Sequence, residues 1–185
     1  MTPEPSWVDL GLPSGLLWAK ANLGATLPES YGLYFSWGNV DGHVAGAGYN
    51  FSQAVYDTTP AAAINTNLSL DQDAARAYLG APWRMPTAAE FQELIENCSY
   101  VWTTLNGVNG YLFTSNQNGK TLFIPAAGRY DGSSLNSRGS VGFYWSSTFY
   151  SAEGARLMNF YGSSLNPNDH IGRRYGVSVR AVREA

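Results

Sequence analysis

At 185 residues, with 44% hydrophobic and 14% aromatic content, the chain can bury one good core and is too short for two, so residues 1–185 read as a single domain. A net charge of -3 and a pI near 5.3, with Lys and Arg scattered, leave no electrostatic footprint for nucleic acid. No apolar stretch is long enough to span a bilayer, and the start Met1-Thr2-Pro3-Glu4-Pro5 lacks the basic-then-apolar layout of a signal peptide: either the chain acts without that export route, or a leader or anchoring domain is missing from it.

In chain order, Trp7 to Ala19 reads as two short strands around a Pro13-Ser14-Gly15 turn, which pins the N-terminal segment into a sheet. Tyr31 to Gly38 is dense in aromatic residues and suits an extended piece closing over a core, with a sugar-stacking platform as the functional alternative. Gly42 to Leu68 has little periodicity and reads as a long irregular excursion. The tripeptides Asn50-Phe51-Ser52, Asn67-Leu68-Ser69 and Asn97-Cys98-Ser99 match glycosylation sequons, which carry meaning only in a secretory context.

Two helices are expected next. Asp71 to Leu79 has helix formers, an acidic first turn and Gly80 as a stop. Thr87-Ala88-Ala89-Glu90 has the form of a capping box behind Pro86, and Phe91, Leu94, Ile95 and Cys98 fall at helical spacing, so a helix over 88–97 turns one apolar face inward. Everything after it reads as β. Asn109-Gly110 and Asn118-Gly119 are hairpin signals, Pro125 to Gly128 breaks a strand, and around Met158 and Phe160 the residues alternate as in a half-buried strand. The expected architecture is α+β, two helices packed on a twisted, mostly antiparallel sheet with long loops. Trp83, Phe91, Leu94, Trp145, Met158, Phe160 and Val179 are expected to share one core.

The catalytic repertoire is thin. A single cysteine, Cys98, excludes an internal disulfide and a thiolate metal cluster, and its spacing reads as a buried core thiol rather than a nucleophile. Only His43 and His170 are available, far apart in the chain and away from any nucleophile motif, so neither a histidine metal centre nor a hydrolase triad is expected. In the last third, about 142–182, the words Tyr144-Trp145-Ser146-Ser147-Thr148 and Tyr175-Gly176-Val177-Ser178-Val179-Arg180 enclose Tyr, Phe, Ser, Asn, Gly and Arg in no core period, a composition suited to contact. The plainer reading of that stretch is a set of solvated turns.

Trp83-Arg84-Met85-Pro86-Thr87-Ala88-Ala89-Glu90-Phe91 resembles a word found in bacterial C-type-lectin-fold domains. The likeness extends to Val8 through Ala19, Ile124-Pro125-Ala126-Ala127-Gly128, Tyr144 through Thr148 and Gly176 through Arg180. These words are similar to those of paralogous surface domains of gut and rumen bacteria and of the variable proteins of diversity-generating retroelements. The resemblance implies a C-type lectin fold and a surface rewritten at adenine-containing codons. Asn-type codons can become the residues seen at Phe143, Phe149, Ser151, Gly154, Arg156, Leu157, Asn159, Tyr161, Asp169, His170, Ile171, Arg174 and Tyr175, which are the ligand-binding positions it implies. Glu153 and Met158 are not reachable that way.

It further implies a non-catalytic protein without cofactor or metal. The partner would be a protein or glycan receptor on a cell surface, met at a bacterial surface or a phage virion. Formylglycine-generating enzymes carry a related Arg-x-Pro-Thr word, but their copper chemistry needs a cysteine pair. A non-diversified lectin-like domain is the alternative: Asn166-Pro167-Asn168-Asp169 resembles the calcium and sugar loop of C-type lectins, although Asp169 is its one acid and a hard cation wants six to eight oxygens. Arg173 and Arg180 read as scaffold, while Arg174 can serve scaffold or ligand.

Overall fold

The two strands expected around Pro13-Ser14-Gly15 form, and they close with a third from the far end of the chain. In the computed structural model, which describes residues 4–185, β1 (Trp7–Asp9) pairs antiparallel with β2 (Leu17–Ala19). The Gly15 amide donates to the Leu12 carbonyl, with Gly15 at a left-handed φ of 75°. The other edge of β2 takes the last strand, β11 (Val182–Arg183). Of the start examined for a leader, Met1 to Pro3 lie outside the described residues.

Tyr34, Phe35 and Trp37 are fully buried, so the aromatic run is a core lining and not a sugar platform. The excursion over 42–68 is more ordered than its composition suggests. Ser52 caps a short α1 (Gln53–Tyr56), and a 3-10 turn covers Pro60–Ala63. Tyr56 donates its hydroxyl to the Trp37 carbonyl at 2.8 Å.

The first expected helix shrinks to α2 (Ala74–Leu79), because Asp73 acts as its N-cap and accepts from the Arg76 amide. Leu70–Gln72 instead winds as a 3-10 turn with its own Ser69/Gln72 capping box. In α3 (Ala88–Glu96) both halves of the Thr87/Glu90 box are made, and Arg84 grips the Glu90 carboxylate with two hydrogen bonds of 2.7 and 2.6 Å. Cys98 is not on that helix. It opens β3 (Cys98–Leu105), where burial among Phe91 and Leu94 pushes its thiol up to about 11, an inert core group.

β3, β4 (Val108–Ser115) and β5 (Thr121–Pro125) form a meander. Its first turn is Asn106-Gly107, both at positive φ, one step before the Asn109-Gly110 signal. Gly110 lies inside β4 for a packing reason: a Cβ there would come within 2.3 Å of the Ile124 carbonyl oxygen. The second turn does lie at Asn118-Gly119. β6 (Arg129–Asp131) and β7 (Ser134–Asn136) make a small hairpin, and β8 (Val141–Phe149), β9 (Gly154–Tyr161) and β10 (Ser164–Gly172) a second antiparallel meander.

Among the described residues, strands hold 38% and helices 14%, with three α-helices and four small antiparallel sheets. The expected α+β C-type lectin fold, two helices packed on one sheet, is therefore not what the chain adopts. Two local causes are visible. Asp73 removes the first turn of one helix, and the strands after α3 pair with their chain neighbours, β3-β4-β5, β6-β7 and β8-β9-β10, rather than across one continuous sheet.

The single expected core is also divided. Trp145, Leu157, Trp83 and Val179 pack in one cluster, whereas Tyr144, Met158 and Phe160 pack with Phe91 and Leu94 in another. Successive residues of a strand point to opposite faces, so β8 and β9 carry apolar side chains on both and are covered on both. A third cluster gathers Tyr34, Phe51, Ala127 and Tyr130. Between the elements sits Arg180, fully buried, donating to the Asn22 side chain at 2.9 Å and to the Ala19 and Phe123 carbonyls. Burial lowers it to about 10, against the opposing pull of Tyr144, so it stays charged at neutral pH and knits three segments together. Among the described residues, no helix is long and apolar enough to cross a membrane.

Candidate recognition surface

Direct partners across an antiparallel ladder share a face, and this sorts the β8-β9-β10 meander. Phe143 faces Asn159, which faces Asn166; Trp145 faces Leu157, which faces Asp169. Arg156 faces His170, and its place on β9 one step from Leu157 puts that pair on the opposite side. Bulges interrupt β8 between Trp145 and Phe149 and β10 between Asn166 and Asp169. The thirteen sequence-derived positions are thus distributed over both faces.

Several of them are scaffold by burial. Leu157 is fully buried, and Phe143 is buried in the same cluster. Gly154 is buried where a Cβ would meet the Ile171 carbonyl oxygen at 3.2 Å. Phe149 and Ile171 are partly buried against that cluster. The Ser151 hydroxyl oxygen accepts from the Glu153 and Gly154 amides and closes the β8 to β9 turn. Burying these side chains and presenting them to a partner are incompatible without opening the core.

The rest reach solvent in two groups. At the free edge of the sheet, the exposed Tyr150 and His170 rings stack at 3.9 Å, and the Arg156 guanidinium lies 4.3 Å over Tyr150 while donating to the Asn168 carbonyl. In the second group Tyr175 is held between two guanidiniums, Arg129 and Arg174, each 4.2 Å from its ring. Arg174 is fixed in turn by Asp131 at 2.8 Å and the Phe51 carbonyl, and Arg129 also covers Phe143. Asn159 is partly exposed, and Tyr161 stands free at 47% exposure with only its carbonyl engaged, by the Tyr111 hydroxyl.

The neighbouring residue Arg173 behaves in the opposite way to Arg174. It is buried, donates to the Ile64 and Ser151 carbonyls, and lies over Trp37 and Phe149. In the Asn166-Pro167-Asn168-Asp169 loop, the Asn166 side-chain oxygen accepts from the Asn168 amide and an Asp169 carboxylate oxygen from the His170 amide, so these ligand candidates are satisfied by the loop itself. Among the described residues, no three His, Cys, Asp or Glu side chains are grouped as a metal site.

Sequence reasoning missed Tyr150, although it adjoins Phe149 and Ser151 within the contact-rich text and its exposure completes the edge group. It also missed Arg129 and Asp131, which lie before that text on β6 and reach it only through the fold. No family model, no curated protein and no solved structure matches this chain.

Proposed function

We propose that the chain is a non-catalytic receptor-binding protein that acts without cofactor or metal and recognises a protein or glycan on a cell surface. Its contact surface comprises the Tyr150, Arg156 and His170 edge and the Arg129, Tyr175 and Arg174 group. The observation that carries this reading is the mutual stacking of those rings and guanidiniums, exposed at Tyr150 and His170 and half-buried at Arg156, Arg129, Arg174 and Tyr175. Contact residues already held in place lose little conformational freedom on binding, and Tyr and Arg are the types that dominate binding energy.

The proposal includes diversification by a retroelement, supported by the resemblance of the flanking words and by the residue types at the exposed positions. Burial sharpens it. Diversification would act on Arg156, Asn159, Tyr161, Asp169, His170, Arg174 and Tyr175 and spare Gly154 and Leu157, whose replacement disturbs the core.

Two experiments test the reading. A cell-surface protein and glycan array probed with the intact chain should give a signal that Arg156→Ser with Tyr150→Ser reduces and EDTA leaves unchanged. A signal abolished by EDTA and restored by Ca²⁺ would overturn the metal-free part. At the locus, an imperfect repeat of the 142–182 coding region, differing mainly at adenines and lying beside a reverse transcriptase gene, is expected. If neither is present, diversification fails and non-diversified binding stands.

A further inference from the structure

We infer that a second site, formed by the 42–49 loop against β6 and β7, binds one neutral saccharide ring. The cavity has a volume of about 160 Å³ and is lined by His43, Tyr49, Phe51, Tyr130 and Ser133 together with the loop residues Val44, Gly46, Ala47 and Gly48. That volume is well below the roughly 300 Å³ at which sites for drug-sized ligands begin, so one small ring is what it holds.

Its walls are built. The loop is anchored by reciprocal backbone hydrogen bonds between Tyr34 and His43 at 2.9 Å, by the Gly46 amide donating to the Tyr130 hydroxyl at 3.1 Å, and by the Phe51 to Gly132 bridge. Gly46 and Gly48 sit at φ 84° and 81°, a backbone that L side chains rarely adopt. Behind the loop the rings interlock: His43 on Tyr49 at 3.6 Å, Tyr49 edge-on to Phe51 at 4.7 Å, and Phe51 against Tyr130 at 5.4 Å.

The chemistry of the lining selects the ligand class. Aromatic faces beside hydroxyl, imidazole and backbone amide groups suit a molecule with a C–H face and hydroxyl edges, which is a pyranose. No Lys, Arg, Asp or Glu lines the cavity, and Asp41 near His43 and Tyr49 stands outside the lining, so the wall itself offers an ion no charged partner. Burial lowers the proton affinity of His43 despite Asp41 nearby, consistent with a neutral imidazole wall. This site shares no lining residue with the β9 and β10 surface and does not depend on the receptor reading.

The test uses the intact chain with methyl hexopyranosides of the gluco, galacto and manno series, followed by ligand-observed NMR saturation transfer and by chemical shifts of the protein. At least one of them should bind saturably in the millimolar range, with saturation strongest on its ring C–H protons. Tyr49→Ala should weaken it by about tenfold through loss of the stacking face, whereas Tyr161→Ser, remote from the cavity, should leave it unchanged. Where Tyr49→Ala fails to fold, Ser133→Val at an exposed turn replaces it, with a severalfold loss expected. Absence of binding by all three series, unchanged binding in the folded variant, or displacement of the sugar by equimolar tetramethylammonium would each overturn the inference.

Discussion

β9 and β10 are hydrogen-bonded neighbours, yet one is locked and the other free. Along β9, Ala155, Leu157, Met158 and Phe160 are all fully buried, in two different clusters, while on β10 every second side chain from Ser164 to His170 meets solvent. β9 is central between β8 and β10 and is covered on both faces, whereas β10 is an edge whose sequence is mostly polar. Tolerance of change should therefore differ sharply between two adjacent strands of similar length.

The sharpest way to break this contrast is through the buried side of the sheet. Trp145→Ala on β8 should cost about 3 to 5 kcal/mol, from lost transfer energy, the cavity left behind and the broken hydrogen bond to the Phe35 carbonyl. Chemical denaturation with an unchanged midpoint would show that the cluster around Trp145 is not packed as described. Gly142→Ala probes the other cluster by overfilling it. A Cβ would come within 2.1 Å of the Phe160 ring, so a loss of about 1 to 3 kcal/mol is expected, and a neutral result would place Phe160 elsewhere.

A smaller effect follows from acid titration of the Arg84 clamp. Burial pushes the Glu90 carboxyl up, but its bonds to Arg84 and Thr87 outweigh that and hold it below its ordinary 4.5; Arg84 likewise lowers Glu184. A carboxyl depressed in the folded state adds stability that is present above the ordinary value and lost as pH falls through the folded one. Thermal stability should thus fall from about pH 4.5 downward, and Glu90→Gln should flatten that slope. An identical slope in the variant would deny Glu90 its part.

The smallest effects belong to the half-buried and exposed positions. Arg156→Ser, Asn159→Ser and Tyr161→Ser should each shift stability by about 0.5 kcal/mol, and Tyr175→Ser by about 1 kcal/mol because it also releases Arg129 and Arg174. Equal losses at Tyr161 and Leu157, both on β9, would erase the distinction between exposed and buried positions.

What the sequence made legible was local. The Thr87 capping box, the Pro13 to Gly15 turn, the Asn118-Gly119 hairpin and the scaffold roles of Arg173 and Arg180 depend on neighbouring residues or residue type. What stayed hidden was which surfaces are covered. Alternation along β9 predicts one wet face and one dry one, but the second dry face arises from Trp83 and Val179, distant in sequence. The same limit concealed Arg129, whose meeting with Tyr175 depends on how β6 lies against the Gly176 segment.

The first sheet carries a consequence for how the protein is made. β2 lies between β1, which it meets through a short turn, and β11, which lies far downstream in the sequence. Arg180, a few residues upstream of β11, ties Asn22 and Ala19 to Phe123 in the same closure. Until β11 has been synthesised, β2 waits with one edge unpaired. Such distant pairing makes for slow maturation, and a nascent chain halted before Gly176 should remain protease-sensitive and need chaperone shelter.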